Sequence, residues 1–236
     1  MKRTLGILFG GAAVLLLGMI GLGLLDVHLL AHSSIGRADG SVDSTLARHR
    51  DHLLNALTLG ATDAASTLPI IVLAAIVIAT AAVVFKRWRE PLFVVAVIVG
   101  EVTIFVVTTL VVHRPRPNVV RLDHAPPTSS FPSGHTAASV ALYGSIAALV
   151  IFFGARTAWR RFALSVAVLV PIIVAASRLY RGMHYPTDVL AGALLGFTWL
   201  RVVMYAVFHG VPNASAPTPE AVATSSQPPR LAPQGR

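Results

Sequence analysis

The sequence predicts an all-α, polytopic membrane protein: a helix bundle with about six transmembrane helices. Three observations carry that expectation. Only 12% of the 236 residues are charged, against about 25% in soluble domains. The apolar residues, 55% of the chain, gather into long runs, each able to cross a hydrocarbon core of about 30 Å as a helix. Lysine and arginine cluster at the ends of those runs, where loops facing the cytoplasm collect positive charge.

The elements follow in order. Met1-Lys2-Arg3 precedes an apolar run over residues 5–25. A charged start and an apolar core also mark a signal peptide, but this run exceeds the usual signal core of about 7–15 residues. It reads as the first span. Residues 26–68 form the longest polar stretch before the tail, where Arg37, Arg48 and Arg50 are balanced by Asp39, Asp43, Asp51 and Asp63. Within it, Leu46, Leu53, Leu54 and Leu57 recur at roughly helical spacing. That pattern reads as one amphipathic helix over 42–59, lying at the interface or packed across the end of the bundle.

The second span covers 69–85 and ends in the basic turn Lys86-Arg87-Trp88-Arg89-Glu90. The third covers 91–112, and a polar, Pro-rich loop over 113–133 follows it. The fourth covers 135–154 and runs into Arg156, Trp159, Arg160 and Arg161. The fifth covers 162–177, with a bend expected at Pro171. The sixth covers 188–208. Residues 1–209 thus form a membrane-embedded domain. Residues 210–236, rich in Pro, Ala, Ser and Thr, are expected to be a disordered cytoplasmic tail.

Alternation places the N-terminus and both basic turns on one side, expected to be cytoplasmic. The polar stretch, the 113–133 loop and the 178–188 segment then share the outer side. The net charge of +9 follows from those turns. No basic stripe with interleaved aromatics is present, so nucleic acid is not an expected partner. Membrane lipids, anionic headgroups above all, are the expected electrostatic partner. The chain has no cysteine, which excludes disulfides, thiolate metal sites and cysteine nucleophiles.

Three polar segments stand at the outer boundary, where such residues are costly unless used. Pro132-Ser133-Gly134-His135 marks the start of the fourth helix. Serine is a favoured N-cap, glycine permits close backbone approach, and a helix N-terminus binds anions. Arg116, in Arg114-Pro115-Arg116-Pro117, can pair two N–H groups with phosphoryl oxygens. Arg114 reads as an ordinary interfacial arginine. Ser177-Arg178 is followed by His184 and Asp188, with Pro186 suited to the first turn of the sixth helix. From there Asp188 can reach back to one nitrogen of His184, fix its tautomer and leave the other free to attack.

These segments resemble the type 2 phosphatidic acid phosphatase superfamily, the lipid phosphate phosphatases. Its pattern is Lys-x6-Arg-Pro, then Pro-Ser-Gly-His, then Ser-Arg-x5-His-x3-Asp. The second and third are complete here, and the family's six-helix arrangement matches the spans. The first departs: Arg116-Pro117 is present, but Thr109 stands where lysine is expected. Thr109 or Thr108 is the candidate to replace it through a hydroxyl, and Arg114 or Arg121 to supply charge. Loss of one charged contact costs about 1.5–3 kcal/mol.

The resemblance implies that His184 is the nucleophile, forming phosphohistidine, and that Asp188 orients it. It implies that His135 protonates the leaving group and then activates water, while Arg116, Ser133, Gly134 and Arg178 hold the phosphate oxygens. The resemblance implies no metal and no cofactor, because arginines and a helix terminus supply the positive field, and the sequence agrees in having neither HExxH nor a dense carboxylate cluster. The expected substrate is an amphiphilic lipid phosphate monoester or a polyprenyl diphosphate. Phosphotransfer to an acceptor hydroxyl and a catalytically impaired lipid-binding protein are the alternatives. Glu101 reads as a strut between helices, His113 and His124 as loop residues, and Tyr180, Tyr185, Trp88 and Trp159 as interfacial anchors.

Overall fold

The computed structural model describes residues 2–124 and 128–209. The tail expected to be disordered lies outside the described residues. Helix α1 (Lys2–Leu25) continues through a π-helical turn, Asp26–Leu30, into α2 (Ser34–Arg48) and α3 (His52–Ala64). There follow α4 (Thr67–Phe85), α5 (Arg89–Val111), α6 (Gly134–Phe152), α7 (Thr157–Tyr180) and α8 (Pro186–Phe208). The segment Lys2–Leu30 and helices α4 to α8 make six elements long and apolar enough to cross a membrane. The chain is therefore a multi-pass helical membrane protein, as the apolar runs predict.

The local sequence explains where these helices stop. Pro69 falls in the first turn of α4, where its missing N–H costs nothing. Lys86 ends that helix in the left-handed region at φ 50°. Pro171 lies inside α7 without ending it, as neighbouring helices in a membrane bundle permit. The fifth span is accordingly longer than predicted at both ends.

The single amphipathic helix expected over 42–59 is two helices. Asp51 breaks it, because its carboxylate caps α3 by accepting from the Leu54 N–H at 2.8 Å. Helix α3 packs along α7, yet Leu53 and Leu57 stay exposed. The segment therefore packs on the bundle with one side and presents apolar side chains with the other.

Helix α6 sits at the centre, touching α4, α5, α7 and α8. Phe93, Val94 and Val97 of α5, Ala137 and Leu142 of α6, and Leu195 and Val203 of α8 are fully enclosed. Phe9, Leu17, Val83 and Ile172 point outward, because lipid tails solvate apolar side chains as well as the core does. Close packing of α8 on α6 depends on two glycines. A Cβ on Gly192 would strike the Ser133 carbonyl, and one on Gly196 the Ala137 carbonyl. This small-residue contact sets how closely the second and third turns of α8 approach the start of α6.

The chain reversals give the bundle two unlike ends. Lys2, the Lys86–Arg89 turn and the Arg156–Arg161 turn lie at one end. Helices α2 and α3, the 112–133 loop and the 181–185 turn lie at the other. Gly196→Leu forces α8 off α6, and overpacking of this kind costs about 1–3 kcal/mol. The expected outcome is a lower unfolding midpoint in detergent; an unchanged midpoint would contradict the contact.

Candidate active site

At the loop end, backbone bonds stitch three distant segments together. The Ser133 N–H donates to the Asp188 carbonyl at 2.9 Å, joining the start of α6 to the first turn of α8. The Ser130 N–H donates to the Arg114 carbonyl at 3.0 Å, and the Ser130 hydroxyl to the Pro115 carbonyl at 3.1 Å. The Ser129 hydroxyl oxygen accepts from the Arg114 and Phe131 N–H groups. The Leu122 N–H donates to the Arg181 carbonyl at 3.1 Å. Gly182 completes the turn after α7 at φ +70°, a backbone that disfavours a side chain. There a Cβ would lie 2.7 Å from Val119.

His184 is buried in that turn, only 4% exposed. Its Nδ1 lies 2.7 Å from the Ser130 carbonyl oxygen. A carbonyl only accepts, so Nδ1 carries the proton and Nε2 keeps a free lone pair. The sequence assigns this orienting bond to Asp188, and the structure corrects that: Asp188 Oδ2 is 3.8 Å from Nδ1, too far for a hydrogen bond. Instead, Asp188 Oδ2 caps α8 by accepting from the Tyr185 N–H at 2.9 Å. Burial holds the His184 imidazole below its ordinary titration range, with Arg178 and Arg116 acting in the same direction and Asp188 opposing.

Arg114 is the residue sequence reasoning missed. It is 6% exposed and not interfacial. Its Nε is 2.8 Å from Asp26 Oδ2 and its Nη2 is 2.9 Å from Asp39 Oδ2, while Nη1 pairs with Asp188 Oδ1. The Tyr185 ring stacks 4.3 Å from the guanidinium centre. Asp39 also accepts from the Thr187 hydroxyl at 2.5 Å. One guanidinium thus joins the end of the first span, α2, the 112–133 loop and α8. An aspartate inside an apolar run, such as Asp26, is the sequence signal for a buried cation partner.

The predicted phosphate ligands converge from the same segments. Arg116 is half-buried and donates through Nη1 to the Met183 carbonyl at 2.8 Å. Arg178 is buried and donates through Nη1 to Asp123 Oδ2 at 2.9 Å. The Nε of each arginine has no protein partner among the described residues. His135 occupies the first turn of α6, and its ionisable neighbours are Arg178, His184, Asp123 and Arg116.

Ser133 holds the N-cap position of α6, but its hydroxyl pairs with Thr136 Oγ1 at 3.0 Å instead of capping the backbone. Gly134 makes room for the Phe105 ring, which a Cβ would approach to 2.7 Å. Thr109 does not replace the lysine: its hydroxyl donates to the Val106 carbonyl of its own helix at 2.8 Å. Thr108 is spent in the same way on Ile104. Arg121 is exposed.

Asp123 is a second participant not singled out by sequence. It bridges Arg178 and Arg181. Burial raises its pKa, but hydrogen bonds and charge from these two arginines outweigh that and hold it below the usual carboxylate value. Ser177 faces away from the cluster, donating to the Thr58 carbonyl at 2.6 Å and lying 2.5 Å from the Thr62 hydroxyl, which pins α3 to α7. Tyr180 is buried rather than interfacial, its hydroxyl accepting from the Asp51 N–H at 3.0 Å. Trp88 and Trp159 are exposed as expected, and Glu101 is buried inside α5.

Asp43, beside this cluster on α2, is buried with no hydrogen-bond partner on either oxygen among the described residues. Burial first, then the charges of Asp39 and Asp188, push its pKa up to about 7. A carboxyl raised on folding binds its proton more tightly in the native state. Stability therefore falls as pH climbs from 3.8 to about 7 and stays reduced above it. Asp43→Asn, which mimics the neutral acid, is expected to raise the unfolding midpoint at about pH 8, with the gain vanishing near about pH 4. Equal gains at both pH values would contradict the assignment.

Comparison with known proteins gives this site a family. The sequence profile of the PAP2 superfamily matches residues 90–211. The bacitracin transport permease protein BcrC of Bacillus licheniformis is 38% identical over 104 residues, 44% of this chain and 46% of that protein. The undecaprenyl-diphosphatase of Sulfolobus acidocaldarius is 32% identical over 130 residues, 50% of this chain and 55% of that one. The phosphatidylglycerophosphatase B of Bacillus subtilis is 35% identical over 86 residues, 36% and 42% of the two chains. The chain thus spans about half the length of the curated relatives it matches. In fold it is similar to the crystal structure of a transmembrane PAP2-type phosphatidylglycerolphosphate phosphatase from Bacillus subtilis. The TM-score is 0.67 with 24% identity, over 86% of this chain and 94% of that one. With the profile covering more than half of its length and all of the segments just described from Arg114 to Asp188, the chain belongs to the PAP2 superfamily.

Proposed function

We propose that the protein is a membrane phosphatase that hydrolyses an amphiphilic lipid phosphate, a polyprenyl diphosphate such as undecaprenyl diphosphate or a glycerolipid phosphate monoester. The observation that carries this reading is the 2.7 Å bond from His184 Nδ1 to the Ser130 carbonyl, which leaves Nε2 as a neutral nucleophile. The substrate classes come from what the relatives are named for, undecaprenyl diphosphate and phosphatidylglycerophosphate.

The chemistry runs in two displacements. His184 Nε2 attacks phosphorus, a P–N bond forms and the P–O bond to the leaving group breaks. His135 gives its proton to the departing oxygen. Water then attacks the phosphohistidine, His135 takes the water's proton, and the P–N bond breaks to release phosphate. The Asp188 carboxylate, 3.8 Å from the ring, offsets the positive charge on imidazole in the first step. The unpartnered Nε donors of Arg116 and Arg178, the Ser133 hydroxyl and the N–H groups opening α6 at Gly134 face the phosphoryl oxygens as charge redistributes. Arginines and a helix terminus supply the positive field, so the reaction is metal-independent on this reading.

With no cation at Thr109, the cradle holds the phosphate more weakly than a lysine-bearing one, by about 1.5–3 kcal/mol. The site end of the bundle faces outward and both termini face the cytoplasm. The basic turns at the opposite end support that orientation.

His184→Ala and His135→Ala, purified in detergent, are the test. His184→Ala is expected to lose all phosphate release above background. His135→Ala should lose about 10²–10⁴-fold. A chelator such as EDTA should leave the wild-type rate unchanged. Full release by both variants would refute catalysis at this site, and release that depends on EDTA-sensitive metal would refute the metal-free route.

A further inference from the structure

At the end of the bundle opposite the site, α4, α6 and α7 part to form a cavity of about 530 Å³. Ala81 and Phe85 of α4, Leu149 of α6, Phe153 just after it, and Trp159 and Ala163 of α7 line it. Thr80 and Tyr143 are the polar exceptions. The size is that of a ligand pocket. Nothing in the chemistry at His184 uses it.

Its rim is basic. Lys86 directly follows Phe85, and Arg156 directly follows Ala155, which also lines the cavity. Arg160 donates through Nε to the Ala155 carbonyl at 2.8 Å. The Arg87 guanidinium lies 5.8 Å from the Phe153 ring centre. The only acid in these turns, Glu90, is fully buried and already paired with Arg87 at 3.0 Å and Arg89 at 2.8 Å. Lys86, Arg156, Arg160 and Arg161 are exposed and have no carboxylate within ion-pair distance among the described residues.

We infer that this cavity is a binding site for an anionic glycerophospholipid of the leaflet at the basic end. One acyl chain lies between α4, α6 and α7, and the headgroup phosphate rests on Lys86, Arg156 and Arg160. An apolar slot rimmed by unpaired cations matches an amphiphile that carries its negative charge at the membrane surface. A second copy of the chain fits poorly, since a symmetric contact would set two basic rims against each other. The substrate of the proposed reaction does not fit either, because its phosphate must reach His184 at the far end. The inference is independent of that reaction.

The test uses the full chain in mild detergent with palmitoyl-oleoyl phosphatidylglycerol and the phosphatidylcholine of identical chains. Native mass spectrometry reads retained lipid, and the unfolding midpoint reads stabilisation. Phosphatidylglycerol is expected to be retained at least about tenfold better than phosphatidylcholine and to raise the midpoint. Lys86→Gln/Arg156→Gln/Arg160→Gln should remove that preference. Ala163→Trp, which fills the cavity, should remove retention of both lipids. Equal retention of the two lipids by the wild type would overturn the inference. So would an undiminished preference in the charge variant, or a lipid-free dimer that the charge variant does not form. The exposed charge variant decides the matter even if Ala163→Trp fails to fold.

Discussion

One buried guanidinium organises the loop end of this bundle. Arg114 is held by Asp26, Asp39 and Asp188, which come from the first span, α2 and α8. Placing four charges where water is scarce is costly. Asp39 and Asp188 pair with Arg114 and also accept from the Thr187 hydroxyl and the Tyr185 N–H, while Asp26 has Arg114 alone among the described residues. Removing one member of a buried pair costs about 3–5 kcal/mol, since the other is left uncompensated. Arginine alone suits this position: its planar fork presents donors in three directions, whereas lysine offers a point charge on a flexible stem. The carboxylate nearest His184 is thereby fixed by residues far away in the chain.

The rest of the site is built against that anchor. Backbone bonds from Ser130 to Arg114 and from Ser133 to Asp188 bring the loop and two helix starts into register. Glycines 192 and 196 let α8 lie close enough to α6 for those bonds to form. His184 then finds its hydrogen-bond partner in the Ser130 carbonyl, a group belonging to the backbone of a different motif. A carbonyl oxygen only accepts, so this bond fixes the tautomer with the proton on Nδ1. Asp188 stands 3.8 Å from the His184 ring while its hydrogen bonds serve Arg114 and the helix cap.

The membrane-spanning helices were legible in the sequence because hydropathy over about 20 residues is set by the bilayer itself. The residues from Arg116 to Asp188 were legible because their types are expensive at a boundary and their spacing matches a known family. The polar stretch after the first span was not. Its two helices are divided by Asp51, and nothing in the leucine periodicity marks that break. Arg114 was misread because a single arginine beside a proline carries no sign of depth; only the three aspartates, up to 88 positions apart from it in sequence, reveal it. Thr109 illustrates the converse. A motif position predicts where a ligand belongs, but the hydroxyl's bond to its own helix was visible only in three dimensions.

The most direct test of this arrangement is the activity of Arg114→Lys against the lipid phosphate that the wild type turns over best, with helical content followed by circular dichroism. Lysine keeps the charge and loses the fork, so a protein of wild-type helicity that releases phosphate at least about a hundredfold more slowly is the predicted result. Wild-type phosphate release by Arg114→Lys would contradict the claim that this guanidinium holds the surroundings of His184 in place.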